Sequence, residues 1–223
     1  MEIIHDQDIV KTYLGDKHYR RWFSDDFDDC AYIVKTEADE TIIYQGEEGT
    51  TLFFLIEGRC RVQSYTQEGK VFIIDTINAP DLVGEIELIS GDDSFSVETV
   101  EKSVLIALPF SHCRQKLLKD SRFLLYLCEL LSEKERTHAL KLSQLASFPL
   151  ENRLSAFILD NASEGKLSLK KTVIAESLGV SYRHLEKVMK DLTEAGILAK
   201  HKKVYTIIDQ KKLKEKAAIL DIF

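Results

Sequence analysis

Histidine is missing from the whole stretch between Ala31 and Pro109. That stretch reads as β-strands, and a metal-dependent barrel enzyme of cupin type needs histidines and a carboxylate on such strands. The sequence therefore gives no support to catalysis of that kind. The four cysteines, Cys30, Cys60, Cys113 and Cys128, are scattered and form no C-x-x-C pair. Metal-ligand spacing is absent, and buried free thiols are the expectation. No run of 18 apolar residues exists, which excludes a membrane-spanning helix. Residues Met1 to Val10 carry acidic side chains and no long apolar run, so neither a secretory leader nor an Arg-rich transit peptide is read there, and a cytoplasmic location is expected. With three prolines and ten glycines there is no collagen-like or low-complexity segment.

Apolar residues make up 44% of the 223 and charged residues 30%, enough for one large or two modest cores. The net charge of −7 argues against a polyanion partner until its distribution is read. From Ser147 onward there are 14 Lys/Arg against 10 Asp/Glu, whereas the part before holds 16 against 27. An acidic front and a basic back place phosphate contact in the back.

Between Ala31 and Pro109 short apolar or alternating runs recur: Ala31–Val34, Thr41–Tyr44, Leu52–Ile56, Arg59–Tyr65, Val71–Ile77, Phe95–Val100 and Val104–Leu108. Gly46–Gly49, Glu57–Gly58, Gln67–Gly69, Ala79–Asp81 and Ser90–Asp93 punctuate them as turns. This pattern predicts an antiparallel barrel or sandwich. Ser121 to Ser147 has no Gly or Pro, and Leu124, Cys128, Leu131, Glu135, His138, Leu142 and Leu145 follow a 4-3 spacing. A helix with that seam suits a dimer contact, or a return onto its own barrel. Phe148-Pro149 is the break, followed by a helix from Leu150 to Asn161. Further on come a short strand at Lys166–Leu169, two helices, a hairpin of Ile197–Lys200 and Val204–Ile208 around Lys202-Lys203, and a helical tail from Gln210 to Leu220.

Lys171 to Lys190 has helix-turn-helix grammar. Ile174, Leu178, Val180, Leu185 and Val188 are apolar where two crossed helices share a core, and Ala175 is small where they approach. Gly179 falls at the turn, where a positive φ is cheap for glycine alone. Thr172 and Ser181 are expected N-caps. On the second helix Ser181, Tyr182, Arg183, His184, Lys187 and Lys190 face outward. Arg183 suits guanine O6 and N7, Lys187 a base or phosphate, Ser181 a phosphate, and Tyr182 and His184 a phosphate or a thymine methyl. Lys200, His201, Lys202 and Lys203 suit a wing over phosphates.

The order of these parts resembles the Crp/Fnr family of bacterial regulators over nearly the whole chain. Tyr44–Glu47, Leu52–Gly58, Ala79–Asp81 and Gly84–Leu88 are similar to that family's β-roll signature, and Leu178–Ser181 and Leu192–Leu198 to its reader. Ser147–Leu150 and Val180–Leu185 look most like the YeiL-type subgroup. The resemblance implies an α+β chain. Its parts would be a jelly-roll-like sensory β-roll with flanking helices (1–120), a dimerisation helix (121–147) and a winged helix-turn-helix (148–223). It implies a homodimer on near-palindromic duplex DNA, with RNA polymerase as a partner if the regulator activates. No membrane partner, metal or cofactor is expected, because there is no long apolar run, Cys30 is the one N-terminal cysteine where oxygen-sensing members cluster several, and no histidine lies between Ala31 and Pro109 to hold a haem. Gly84, Glu85, Phe95 and Ser96 would mark the effector pocket. Cyclic-nucleotide-binding members carry an Arg where Phe95 stands, and no Lys or Arg lies between Ser90 and Thr99, so cyclic AMP is not the expected effector. A cyclic-nucleotide- or redox-responsive member of the same fold, and a helix-turn-helix that docks to protein, are the alternatives. The family's reader has a Glu and an Arg where Arg183 and Lys187 stand here, which implies a different operator.

Overall fold

The structure, a computed structural model, describes residues 1–15, 22–24, 27, 29–69, 71–91 and 95–217, with only the backbone of Lys141, Gln144 and Leu145. It divides into two compact units, Met1–Glu133 and Lys134–Phe223.

The first unit is a roll of two antiparallel sheets. One has five strands in the order β1 (Glu2–Ile4), β2 (Tyr32–Thr36), β9 (Ser103–Pro109), β4 (Thr51–Glu57) and β7 (Asp81–Val83). The other has the order β3 (Thr41–Ile43), β8 (Ser96–Thr99), β5 (Arg59–Tyr65) and β6 (Val71–Asn78). The continuous apolar run Leu52-Phe53-Phe54-Leu55 is explained by burial of β4 on both faces. Phe53 and Leu55 enter the core with Val34, Ile43, Cys60, Ile77 and Val97. Leu52 and Phe54 enter a second core with Trp22, Phe23, Phe27 and the helices.

Those helices are α1 (Gln7–Leu14), α2 (Glu85–Ser90), α3 (Phe110–Leu117) and the start of α4 (Ser121–Ser147). Neither β1, β7 nor the first three helices was legible as periodicity, because each is too short to show a repeat. Gly84 begins α2 at φ +94°, and a Cβ there would sit 2.7 Å from the Thr51 carbonyl oxygen. Asp120 accepts from the backbone N–H groups of Arg122 (2.9 Å) and Phe123 (3.3 Å) at the start of α4. Phe123 and Leu127 bury in the roll's core, and Tyr126 stacks on Trp22 at 4.3 Å between centroids.

The second unit contains α5 (Leu150–Asn161), β10 (Lys166–Leu167), α6 (Lys171–Ser177), α7 (Tyr182–Glu194), β11 (Leu198–His201), β12 (Val204–Ile207) and α8 (Gln210–Ala217). Its strands form one sheet in the order β10-β12-β11. Leu154, Ile158, Ile174, Leu185, Leu192 and Leu213 are its fully buried apolar centre. The expected helical tail beyond Ala217 lies outside the described residues.

Two sequence expectations need correction. Thr172 does not cap α6: that helix already begins at Lys171, after Lys170 in extended geometry, and no side chain caps it. The cysteines are not uniformly buried. Cys60 and Cys113 are, Cys30 is half-buried and Cys128 is exposed, because it faces away from the core side of α4 that carries Phe123 and Leu127.

Candidate nucleic-acid interface

Leu185, Val188, Met189 and Leu192 are the buried stripe of α7. At about 100° per residue, the opposite side carries Arg183, Lys187 and Lys190, all exposed. Among the described residues neither Arg183 nor Lys187 makes a salt bridge, while Lys190 lies 3.5 Å from Glu194. Tyr182 and His184 are also exposed, on the two flanks of that side.

Local chemistry sets where α7 begins. Gly179 takes φ +62° with nothing within 4 Å of its would-be Cβ, so the turn needs glycine for backbone freedom and not for space. Ser181 then caps the helix by accepting from the His184 backbone N–H at 3.2 Å. That bond uses an oxygen lone pair and leaves the Ser181 O–H free to donate.

The wing is the hairpin β11–β12, with His201 opposite Val204 and a two-residue turn of Lys202-Lys203. Lys202 holds φ +55°, a conformation that favours Gly or Asn. Both turn lysines are exposed.

Sequence reading did not find the contacts that hold these parts together. Arg153 on α5 donates from Nη1 to the Leu178 carbonyl (2.9 Å) and from Nε to the Phe148 carbonyl (3.3 Å), and burial lowers its pKa. It ties the break after α4 to the turn before α7. Lys171 bonds Glu186 at 2.8 Å, with its ammonium 5.8 Å from the Tyr182 ring centroid and 5.9 Å from that of Tyr205. Lys171 and Glu186 are 15 residues apart and meet only because α6 crosses α7, so no local pattern announces them.

In the roll, Gly84 and Glu85 lie at the start of α2, and Glu85 is buried. Phe95 is half-buried. Ser96 is buried, and its hydroxyl accepts from the Gln45 backbone N–H at 2.8 Å. The β8–β5 register sets Ser96 opposite Gln63 and Glu98 opposite Arg61. Arg61 is paired with Glu98, and Gln63 donates to Glu98 (3.2 Å) and to the Tyr65 hydroxyl (2.6 Å). The arginine two strand positions from Ser96 is thus already neutralised. Among the described residues no three His, Cys, Asp or Glu converge as a metal-ligand set.

Comparison with known proteins places this architecture. Residues 33–120 match the cyclic nucleotide-binding domain and residues 152–216 the Crp-like helix-turn-helix domain. The chain is 39% identical over 205 residues to the regulatory protein YeiL of Escherichia coli O157:H7, covering 87% of this chain and 93% of that one. It is 21% identical over 187 residues to the cAMP-activated global transcriptional regulator CRP of Salmonella typhimurium, covering 79% and 89%. The fold is shared with a Crp/Fnr-family structure from Eubacterium rectale, at TM-score 0.78 and 16% identity, covering 93% and 97%. It is shared too with the c-di-GMP responsive regulator CLP of Xanthomonas campestris, at TM-score 0.72 and 17% identity, covering 92% and 100%. A roll of the cyclic nucleotide-binding kind followed by a Crp-like reader, with extensive identity to YeiL, means that this chain belongs to the Crp/Fnr family, whose members are transcription regulators and not enzymes.

Proposed function

We propose that the chain is a homodimeric, sequence-specific reader of near-palindromic duplex DNA, with α7 in the major groove and the β11–β12 wing on phosphates. The observation that carries this reading is the exposed cationic side of α7, opposite a buried stripe. Arg183 offers a planar fork for guanine, one turn before Lys187. Ser181, Tyr182, His184 and Lys190 border them, and Lys202 and Lys203 supply sequence-independent attraction. Residues 1–120 sense, 121–147 pair the protomers and 148–223 read. Selection of bound duplexes from a random pool tests the reading. A near-palindrome with half-sites about 34 Å apart is expected. Affinity indifferent to salt would point instead to a reader that docks on protein.

The dimer rests on α4. Leu125, Cys128, Leu131 and Leu142 stand exposed along it, as apolar groups needing a partner do. Leu124 is half-buried against the roll and Leu145 lies outside the described side chains. Cys128 supplies the test. Burial pushes the Cys60 and Cys113 thiols up to about 12, which leaves them unreactive. Mild oxidation is expected to cross-link two chains through Cys128, with the link lost in Cys128→Ser. A monomeric mass by sedimentation would refute the pairing.

The effector is read as something other than cyclic AMP, because Phe95 offers no charge to a cyclic phosphate and Arg61 is committed to Glu98. Titration calorimetry is expected to show no saturable binding of cyclic AMP. Micromolar binding would overturn this point alone.

A further inference from the structure

Residues of the wing and of both helices gather around one ion pair, Lys171 with Glu186. Lys171 opens α6, Tyr182 and Glu186 lie on α7, Lys200 is on β11 and Tyr205 on β12. Lys171 Nζ is 2.8 Å from Glu186 Oε1, and it lies against the Tyr182 and Tyr205 rings. Lys200 Nζ approaches the Tyr205 ring from 6.0 Å. The hydrogen bond from Lys171 chiefly holds the Glu186 carboxyl below its ordinary pKa, and the same bond holds the Lys171 ammonium above its own. Glu186 remains 47% exposed, on the flank of the very helix whose outer side is cationic.

A carboxylate beside a surface meant for a polyanion repels the phosphates of every sequence alike, and a contribution to selectivity would offset that repulsion. We propose that Glu186 is a specificity-setting positioning residue: it holds Lys171 away from phosphates and keeps that ammonium over the Tyr182 ring at the start of the reading helix. This rests on the DNA-binding reading above. A cation released from Glu186 would add the same counterion-release attraction to all duplexes. A Tyr182 ring that loses the Lys171 ammonium would weaken only those contacts that depend on where its ring and hydroxyl point. Both changes narrow the gap between operator and random DNA.

The experiment uses the full chain with Glu186→Gln, Lys171→Gln and the double substitution. Affinity for the selected operator and for a random-sequence duplex is measured across salt concentrations. Glu186→Gln, which keeps the side chain's shape, is expected to steepen the log–log salt dependence on random duplex by about 0.9. The operator-to-random ratio is expected to fall about tenfold, the scale of one good base contact. The double substitution should return the slope to that of the unaltered chain, and Lys171→Gln alone should leave it unchanged.

An unchanged slope in Glu186→Gln, with both affinities falling by one factor, would make Glu186 a clasp of the fold and overturn the proposal. A slope that falls by about one in Lys171→Gln would also overturn it, by showing Lys171 already on a phosphate. If the unaltered chain shows no salt-dependent duplex binding, the DNA-binding reading itself fails, and that outcome is visible before any variant is made.

Discussion

The two units handle charge in opposite ways. In the roll, Arg61 and Glu98 close on each other with 18% and 15% of their side chains exposed, and Gln63 and Tyr65 complete the set. In the reader, Arg183 and Lys187 stand in solvent with no salt bridge among the described residues. In the roll the Arg61 guanidinium meets its anion from within, through Nη2, although its buried Nε has no hydrogen-bond partner among the described residues. The reader leaves these cations hydrated and open to an external anion. The lesson is that the same residue type, arginine, is structural in one unit and available for recognition in the other, and that exposure together with pairing decides which.

The sharpest way to probe the contrast is through two of the left-handed glycines, one from each unit. Gly84→Ala meets both a positive φ and a carbonyl oxygen 2.7 Å away. It is expected to cost the roll about 2–4 kcal/mol in urea unfolding. Gly179→Ala meets only the backbone penalty, about 1–2 kcal/mol, because nothing lies within 4 Å. Equal costs would break the comparison. The arginines come next. Arg61→Ala leaves Glu98 without its cation and is expected to lower stability by about 2 kcal/mol, below the roughly 3–5 kcal/mol of a fully enclosed pair. Arg183→Ala should shift stability by less than about 0.5 kcal/mol and operator affinity by about 1–3 kcal/mol, with relaxed base preference.

A smaller effect, with a pH signature, lies at Asp120. Burial raises its pKa, but bonds from the Ser24 backbone and hydroxyl, Phe123 and Arg122 outweigh it and hold the carboxyl below 3.8. A depressed folded-state pKa means stability that is complete above the unfolded value and disappears as pH falls through the folded one. Asp120→Ala is expected to cost about 1–2 kcal/mol near neutrality, as for other helix caps. Asp120→Asn should differ from the parent at pH 6 and converge with it below pH 3.8. The least change is expected at the wing tip. Lys202→Gly relieves a side chain held at φ +55° and should stabilise by about 1 kcal/mol at most. Yet it should lower the salt slope of DNA binding by about one if the lysine touches a phosphate.

Much of the reader was legible because its signals are local. Gly179, the Ser181 cap, the bounds of α4 and α5, and the two-residue turn at Lys202-Lys203 each follow from residues within a few positions of one another. Thr172 misled because a good capping residue one position inside a helix looks the same in sequence as one at its start. The seven strands anticipated in the roll emerged with ends shifted by at most two residues, Arg59–Tyr65 unshifted. The sequence by itself determined the parts and their order, since periodicity, turn chemistry and charge distribution are properties of neighbouring residues. Only the tertiary structure decided that Arg61 belongs to Glu98, that Arg153 reaches Phe148 and Leu178, and that Lys171 meets Glu186 between two tyrosine rings. Those partners come from separate strands and helices, and their pairing depends on crossing and register that no single stretch of chain encodes.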